Sequence, residues 1–131
     1  MNTEEVDYTN LPGFRGVYLE DSFVTDIEAR PGRLSFRLDL VLTPEHPTYL
    51  PPRPGEQHCY REAVIEFTDV RRLVWAGQGT PPATDSSGTH DYGGADSFVA
   101  TGNVYRIEGD WGEIEIESEA PYIRFLSAYR G

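Results

Sequence analysis

Three histidines and one cysteine are the side chains in this sequence best suited to metal or nucleophile chemistry, and their spacing supports neither. His46, His58, Cys59 and His90 are zinc-ligand types, with Asp85, Asp91 and Asp96 close to the last of them along the chain. No Cys-x-x-Cys pair and no histidine pair at helical spacing accompanies them. His58 and Cys59 are adjacent, so on a strand they point to opposite faces. Cys59 then reads as a small buried hydrophobe. The expectation is no bound metal and no cofactor, with His58 and His90 as the weak metal candidates that remain. A catalytic triad or dyad built on Cys59 or Ser22 meets a similar objection. Catalytic cysteines need an electropositive setting, and here 22 acids face 11 bases. Gly-x-Ser-x-Gly elbows, Gly-x-Gly-x-x-Gly turns and phosphate loops are all absent from the sequence.

Carboxylates are the commonest reactive groups, and the stretch Glu108–Glu119 concentrates six of them with no base. Asp110, Glu113, Glu115 and Glu117 could be paired for glycoside hydrolysis, with Trp111 stacking on a sugar. Such a pair needs one carboxyl whose pKa is raised by burial, whereas a row of outward glutamates is solvated. From Trp111 onward acids and apolar residues alternate strictly. That period of two predicts a strand with Ile114 and Ile116 on the core face and a comb of Glu113, Glu115 and Glu117 on the other. Arg106 or Arg124, on neighbouring predicted strands, could pair with the comb. Charge on a strand also blunts edge-to-edge association. The sharper alternative is a docking face for a basic partner.

Two loops offer other contacts. Tyr49-Leu50-Pro51-Pro52-Arg53-Pro54-Gly55 could present Tyr49, Leu50 and Arg53 in an extended conformation. His90-Asp91-Tyr92-Gly93-Gly94 has the Tyr and Gly content of an adaptable recognition loop. A rival class is an enzyme or small-ligand binder whose pocket is lined by Tyr60, Trp75, Tyr92 and Trp111, with His58 or His90 as the polar group.

Positioning any of these groups falls to strands. The first firm one is expected at 22–29, after a loose lead-in over 1–16 that packs through Leu11 and Phe14. Arg30-Pro31-Gly32-Arg33 makes a turn, with Pro fixing φ and Gly accepting a positive φ. Leu34, Phe36, Leu38, Leu40 and Leu42 then alternate with Ser35, Arg37 and Asp39. Five prolines over 43–57 exclude a central strand there. Over 58–70, Cys59, Ala63, Ile65 and Phe67 point inward, while Tyr60, Glu62 and Glu66 point out. Leu73–Ala76 is a short strand. Residues 78–95 form the longest stretch without periodicity, and four strands at 97–101, 104–108, 111–118 and 122–128 complete the chain. Gly109-Asp110 is expected as the hairpin turn before the comb. The repeat of Asp21-Ser22-Phe23-Val24 as Asp96-Ser97-Phe98-Val99 is either a duplicated hairpin unit or a coincidence. No segment carries helical periodicity, so the expected fold is all-β: an antiparallel β-sandwich or flattened barrel of about eight strands. Its 131 residues fit one domain.

The net charge of −11 disfavours nucleic acid and anionic membranes as partners and favours a basic protein. With one cysteine there is no internal disulfide. An acidic N-terminus without an apolar signal region, and no run long enough to span a bilayer, give the expectation of a cytoplasmic protein, monomeric or homodimeric.

With Trp111-Gly112-Glu113 on a late strand, after an Asp-Ser-led first strand and a leucine-alternating second one, the chain resembles small bacterial all-β proteins of unknown function. Some families related to these are assigned as immunity proteins of bacterial toxin systems. The resemblance covers 20–127 as a strand pattern. It implies a binder that neutralises a partner toxin, with no catalytic residues to carry over. The sequence-level expectation is therefore a non-catalytic acidic binding module.

Overall fold

The structure, a computed structural model, describes residues 5–52, 54, 55, 58–77, 83, 84, 90, 91 and 93–126, with only the backbone at 83, 84, 90 and 91. Its strands are β1 (Glu5–Asp7), β2 (Val17–Arg30), β3 (Arg33–Leu42), β4 (Cys59–Thr68), β5 (Arg72–Ala76), β6 (Ala83–Thr84), β7 (His90–Asp91), β8 (Ala95–Thr101), β9 (Val104–Gly109), β10 (Gly112–Glu117) and β11 (Tyr122–Phe125). Nine of them form two antiparallel sheets, ordered β1-β8-β9-β10-β5 and β11-β4-β3-β2; β6 and β7 pair only with each other. The sheets do not close on themselves, so the fold is an all-β sandwich rather than a barrel.

The leucine alternation organises the four-stranded sheet. Leu34, Phe36, Leu38, Leu40 and Leu42 are all buried, and β3 pairs along its whole length with β4, from Arg33↔Thr68 to Leu42↔Cys59. Gly32 takes φ +77° in the turn that sets Arg30 opposite Arg33. Ala63, Ile65 and Phe67 on β4 meet Phe98, Tyr105, Ile107, Ile114 and Ile116 from the five-stranded sheet, and the two inner faces make one apolar layer.

Residues 5–16 are not a loose lead-in. β1 pairs with β8, Val6 opposite Ala100, and Tyr8–Asn10 forms a 3₁₀ turn capped by Asp7. Tyr8 and Phe14 are buried and cluster with Phe98, the Tyr8 and Phe98 rings stacking at 5.7 Å. Two aromatic side chains outweigh the polar composition around them, because each hides a large apolar area.

β2 starts earlier than expected, at Val17, and its pairing with β3 breaks between Tyr18 and Phe23. Side chains take over the lost ladder bonds of this bulge. The Ser22 hydroxyl donates to Tyr18 O (2.8 Å) and accepts from Val41 N (2.9 Å). The Tyr8 hydroxyl accepts from Leu19 N (3.0 Å). Asp96 also falls at a register shift, but Phe23 is exposed where Phe98 is buried. The two Asp-Ser-Phe-Val segments thus run in opposite phase, and the repeat is not a duplicated unit.

Candidate functional site

Each of the two sheets turns a face of charged side chains outward. On the five-stranded sheet, Ile114 and Ile116 are fully buried while Glu113, Glu115 and Glu117 line the opposite side of β10. Glu113 lies directly opposite Glu108 on β9, and Glu115 opposite Arg106. Arg106 reaches Glu115 at 3.0 Å through Nη2 and Glu113 at 3.6 Å through Nε. Arg72, from β5 on the other flank, reaches the second Glu115 oxygen at 3.4 Å. Glu115 is therefore gripped from both sides, and the Arg106 guanidinium is held above its ordinary pKa, chiefly by that hydrogen bond. Glu5 and Asp7 extend the acidic surface across β1, where they pair with Thr101 and Val99. Arg124 plays no part here, since β11 belongs to the other sheet.

Trp111 is not on this face. The turn residues of the hairpin are Asp110 and Trp111, one position later than expected, because Gly109 pairs with Gly112. The indole folds back over Gly109, where a Cβ would collide with its ring, and enters the core against Phe36 at 5.8 Å, 1% exposed. Gly112, at φ +111°, restarts the strand, and a Cβ there would clash with the carbonyl of Ala76. Strict alternation puts Trp111 beside the glutamates; the turn resets that phase. Trp75 is half-buried at the sheet edge and donates from Nε1 to Trp111 O at 2.9 Å.

The remaining expected site residues disperse. Tyr60 lies on β4 with Phe23 stacked on it at 6.0 Å and His58 edge-on at 5.8 Å; His58 Nε2 sits 3.3 Å from Asp21. These belong to the four-stranded sheet, so Tyr60, Trp75 and Trp111 do not line one pocket. Tyr49 is half-buried against the core rather than presented, whereas Leu50 beside it is exposed. Arg53, Asp85 and Tyr92 lie outside the described residues, as do the side chains of His90 and Asp91. Cys59 is buried in the core. Among the described residues no group of three or more His, Cys, Asp or Glu is placed to hold a metal, and no helix is long and apolar enough to cross a membrane.

Three polar residues escaped the sequence pattern. His46 is buried at the head of the proline-rich segment: its Nδ1 accepts from Thr48 N at 3.1 Å, and its ring meets Phe125 at 5.7 Å. Burial, and then the charge of Arg61, push its pKa below the ordinary value. Arg61 is itself buried on the inner face of β4, its guanidinium 4.7 Å from the Phe125 ring centre. Glu66 points outward from β4 yet is only 4% exposed. It accepts from Arg124 Nη2 (2.8 Å) and Nε (3.2 Å) and from the Tyr122 hydroxyl (2.9 Å), with Arg33 at 3.8 Å. Those Arg124 hydrogen bonds hold its carboxyl below the usual range, against the opposing effect of burial. Only the β4–β11 register, Tyr122 opposite Glu66, reveals this cluster.

Comparison with known proteins finds no matching family model, curated protein or solved structure.

Proposed function

We propose that this protein is a non-catalytic binding module that offers the outer face of its five-stranded sheet to a basic partner protein, as an immunity-type protein would. The observation that carries this reading is the charge of that face. Glu5, Asp7, Glu108, Glu113, Glu115 and Glu117 share it with Arg72 and Arg106 on paired strands. A rigid sheet presenting a charge surplus of one sign steers an oppositely charged partner and speeds encounter more than it deepens affinity. Glu115 is engaged by both arginines and Glu113 by Arg106 alone, at 3.6 Å, so Glu108, Glu113 and Glu117 are the carboxylates of β9 and β10 that a partner would meet.

The experiment measures association with lysozyme as a basic probe protein, for the native protein and for the triple variant Glu108→Lys, Glu113→Lys, Glu117→Lys. The expected result is an association rate for the native protein that falls steeply with salt, and a variant slowed by about ten-fold or more at low ionic strength. Equal rates and equal salt slopes for the two proteins would reduce the glutamates to a solvated surface.

A further inference from the structure

We infer that the outer face of the four-stranded sheet, on the side of the molecule away from the glutamate comb, holds a site for a compact oxyanion, phosphate or dicarboxylate. The register builds it. Asp26, Arg37, Val64 and Arg124 fall in one row across the sheet, and Glu28, Ser35, Glu66 and Tyr122 in the next, with Arg30 and Arg33 closing the end. Short side chains, Ser35 and Val64, occupy the middle of an array of long ones. The result is a polar hollow of about 280 Å³ floored by Ser35, Val64 and Glu66 and walled by Arg30, Arg33, Arg37 and Arg124.

Local charge favours an anion at Arg33. The chain carries twice as many acids as bases, whereas here Arg30, Arg33, Arg37 and Arg124 match Asp26, Glu28, Glu66 and, at the rim, Glu62 in number. Glu28 pairs with Arg30, and Glu62, just outside, takes one nitrogen of Arg37 at 3.0 Å. Glu66 has two guanidiniums and a phenol around one carboxylate, more than neutrality requires. Its hydrogen bonds are made with Arg124 and Tyr122, while Arg33 stays 3.8 Å away, beyond hydrogen-bond distance. Among the described residues Glu66 is the sole carboxylate in ion-pair reach of Arg33. Arg33 and Arg37 are each about half exposed, their side chains 55% and 53% accessible, and sit four residues apart on the same face of β3. Guanidinium forks match the oxygens of phosphate and carboxylate. The nearly buried Glu66 anchors the array from below and has no unfilled role for a cation.

The test is an amide-resolved NMR titration of the full chain with inorganic phosphate and, separately, with succinate, at ionic strength held constant with sodium chloride. The site predicts saturable shifts confined to β2 beyond Asp26, the first half of β3, residues 64–66 and β11. Arg33→Ser and Arg37→Ser, made separately so that one unstable variant does not end the test, each weaken binding by about ten-fold. Arg15→Ser, on a different surface, leaves it unchanged. Saturation by phosphate alone or by succinate alone names the ligand class and supports the site. Non-saturating shifts with both anions, shifts elsewhere, or undiminished binding in a folded Arg37→Ser protein overturn it. A native glutamate comb is present throughout, so this outcome is independent of the basic-partner test.

Discussion

Glu66 sits on the outer face of β4 and is nonetheless almost wholly covered, because Arg33, Arg124 and Tyr122 close over it. Alternation along β4 correctly gives its direction, and direction is all that a period of two encodes. Coverage depends on which residues stand on β3 and β11, strands that no local pattern aligns. Trp111 fails in the opposite sense. Its type and position in an alternating run put it with the glutamates, but the run begins one turn too early, and a flanking pair of glycines lets the indole swing into the core. Glycines on both sides of a tryptophan were the available signal. The two residues make a contrast in cost. Replacing Glu66 by Gln keeps the shape and the Tyr122 contact but leaves Arg124 and Arg33 without their carboxylate. Because both arginines reach water, the expected loss is about 1–3 kcal/mol, below that for a fully buried pair. Urea denaturation measures it, and a loss below about 0.5 kcal/mol would show that the cluster is held by packing rather than charge.

At the scale of elements, strands with clean alternation were legible and their interruptions were not. β3, β4 and β10 follow from residue pattern, because one face of each is buried and register slips would turn every side chain over. The β2 bulge could not be read, since its backbone groups find partners from far along the chain: Leu19 N from Tyr8, Val41 N from Ser22. Tyr8 thus joins the N-terminal segment to the sandwich. Its hydroxyl, besides accepting from Leu19 N, donates to a Glu20 carboxylate oxygen at 2.6 Å, and its pKa is raised well above the ordinary value by burial, then by the bond to Glu20. Tyr8→Phe preserves the stack on Phe98 and strips the hydroxyl, leaving a buried N–H without its partner. That costs about 1–3 kcal/mol. Hydrogen exchange should also show faster opening at Leu19 and Glu20 than at β3, which distinguishes a local clasp from a general loss of stability. Equal acceleration across β3 would contradict the local role.

For the molecule as a whole, the acid side of the stability curve separates two sites by pH. His46 has its pKa lowered from the ordinary 6.5, first by burial and then by Arg61. As pH falls through 6.5 the unfolded chain takes up a proton that the folded protein resists, so stability declines with acid until the lowered folded value is passed. Glu66 acts later. Its pKa lies below 4.5 in the folded state, so its contribution is complete above that value and is lost as pH falls further, through the lowered one. Net charge works against both. Protonating carboxylates on a chain of −11 relieves self-repulsion, which flattens the total curve and hides the individual terms. Differences between proteins recover them. His46→Gln retains an acceptor for Thr48 N and cannot titrate, so the stability gap between native and variant proteins should change as pH falls below about 6.5 and stay constant above about pH 7.5. Glu66→Gln should show its gap constant above about pH 5.5 and shrinking below 4.5. Denaturation midpoints at half-unit steps supply both curves. A His46 gap that is flat from pH 7.5 to 5 would mean the imidazole protonates as readily folded as unfolded. Burial of the ring beside Phe125 would then not govern its protonation.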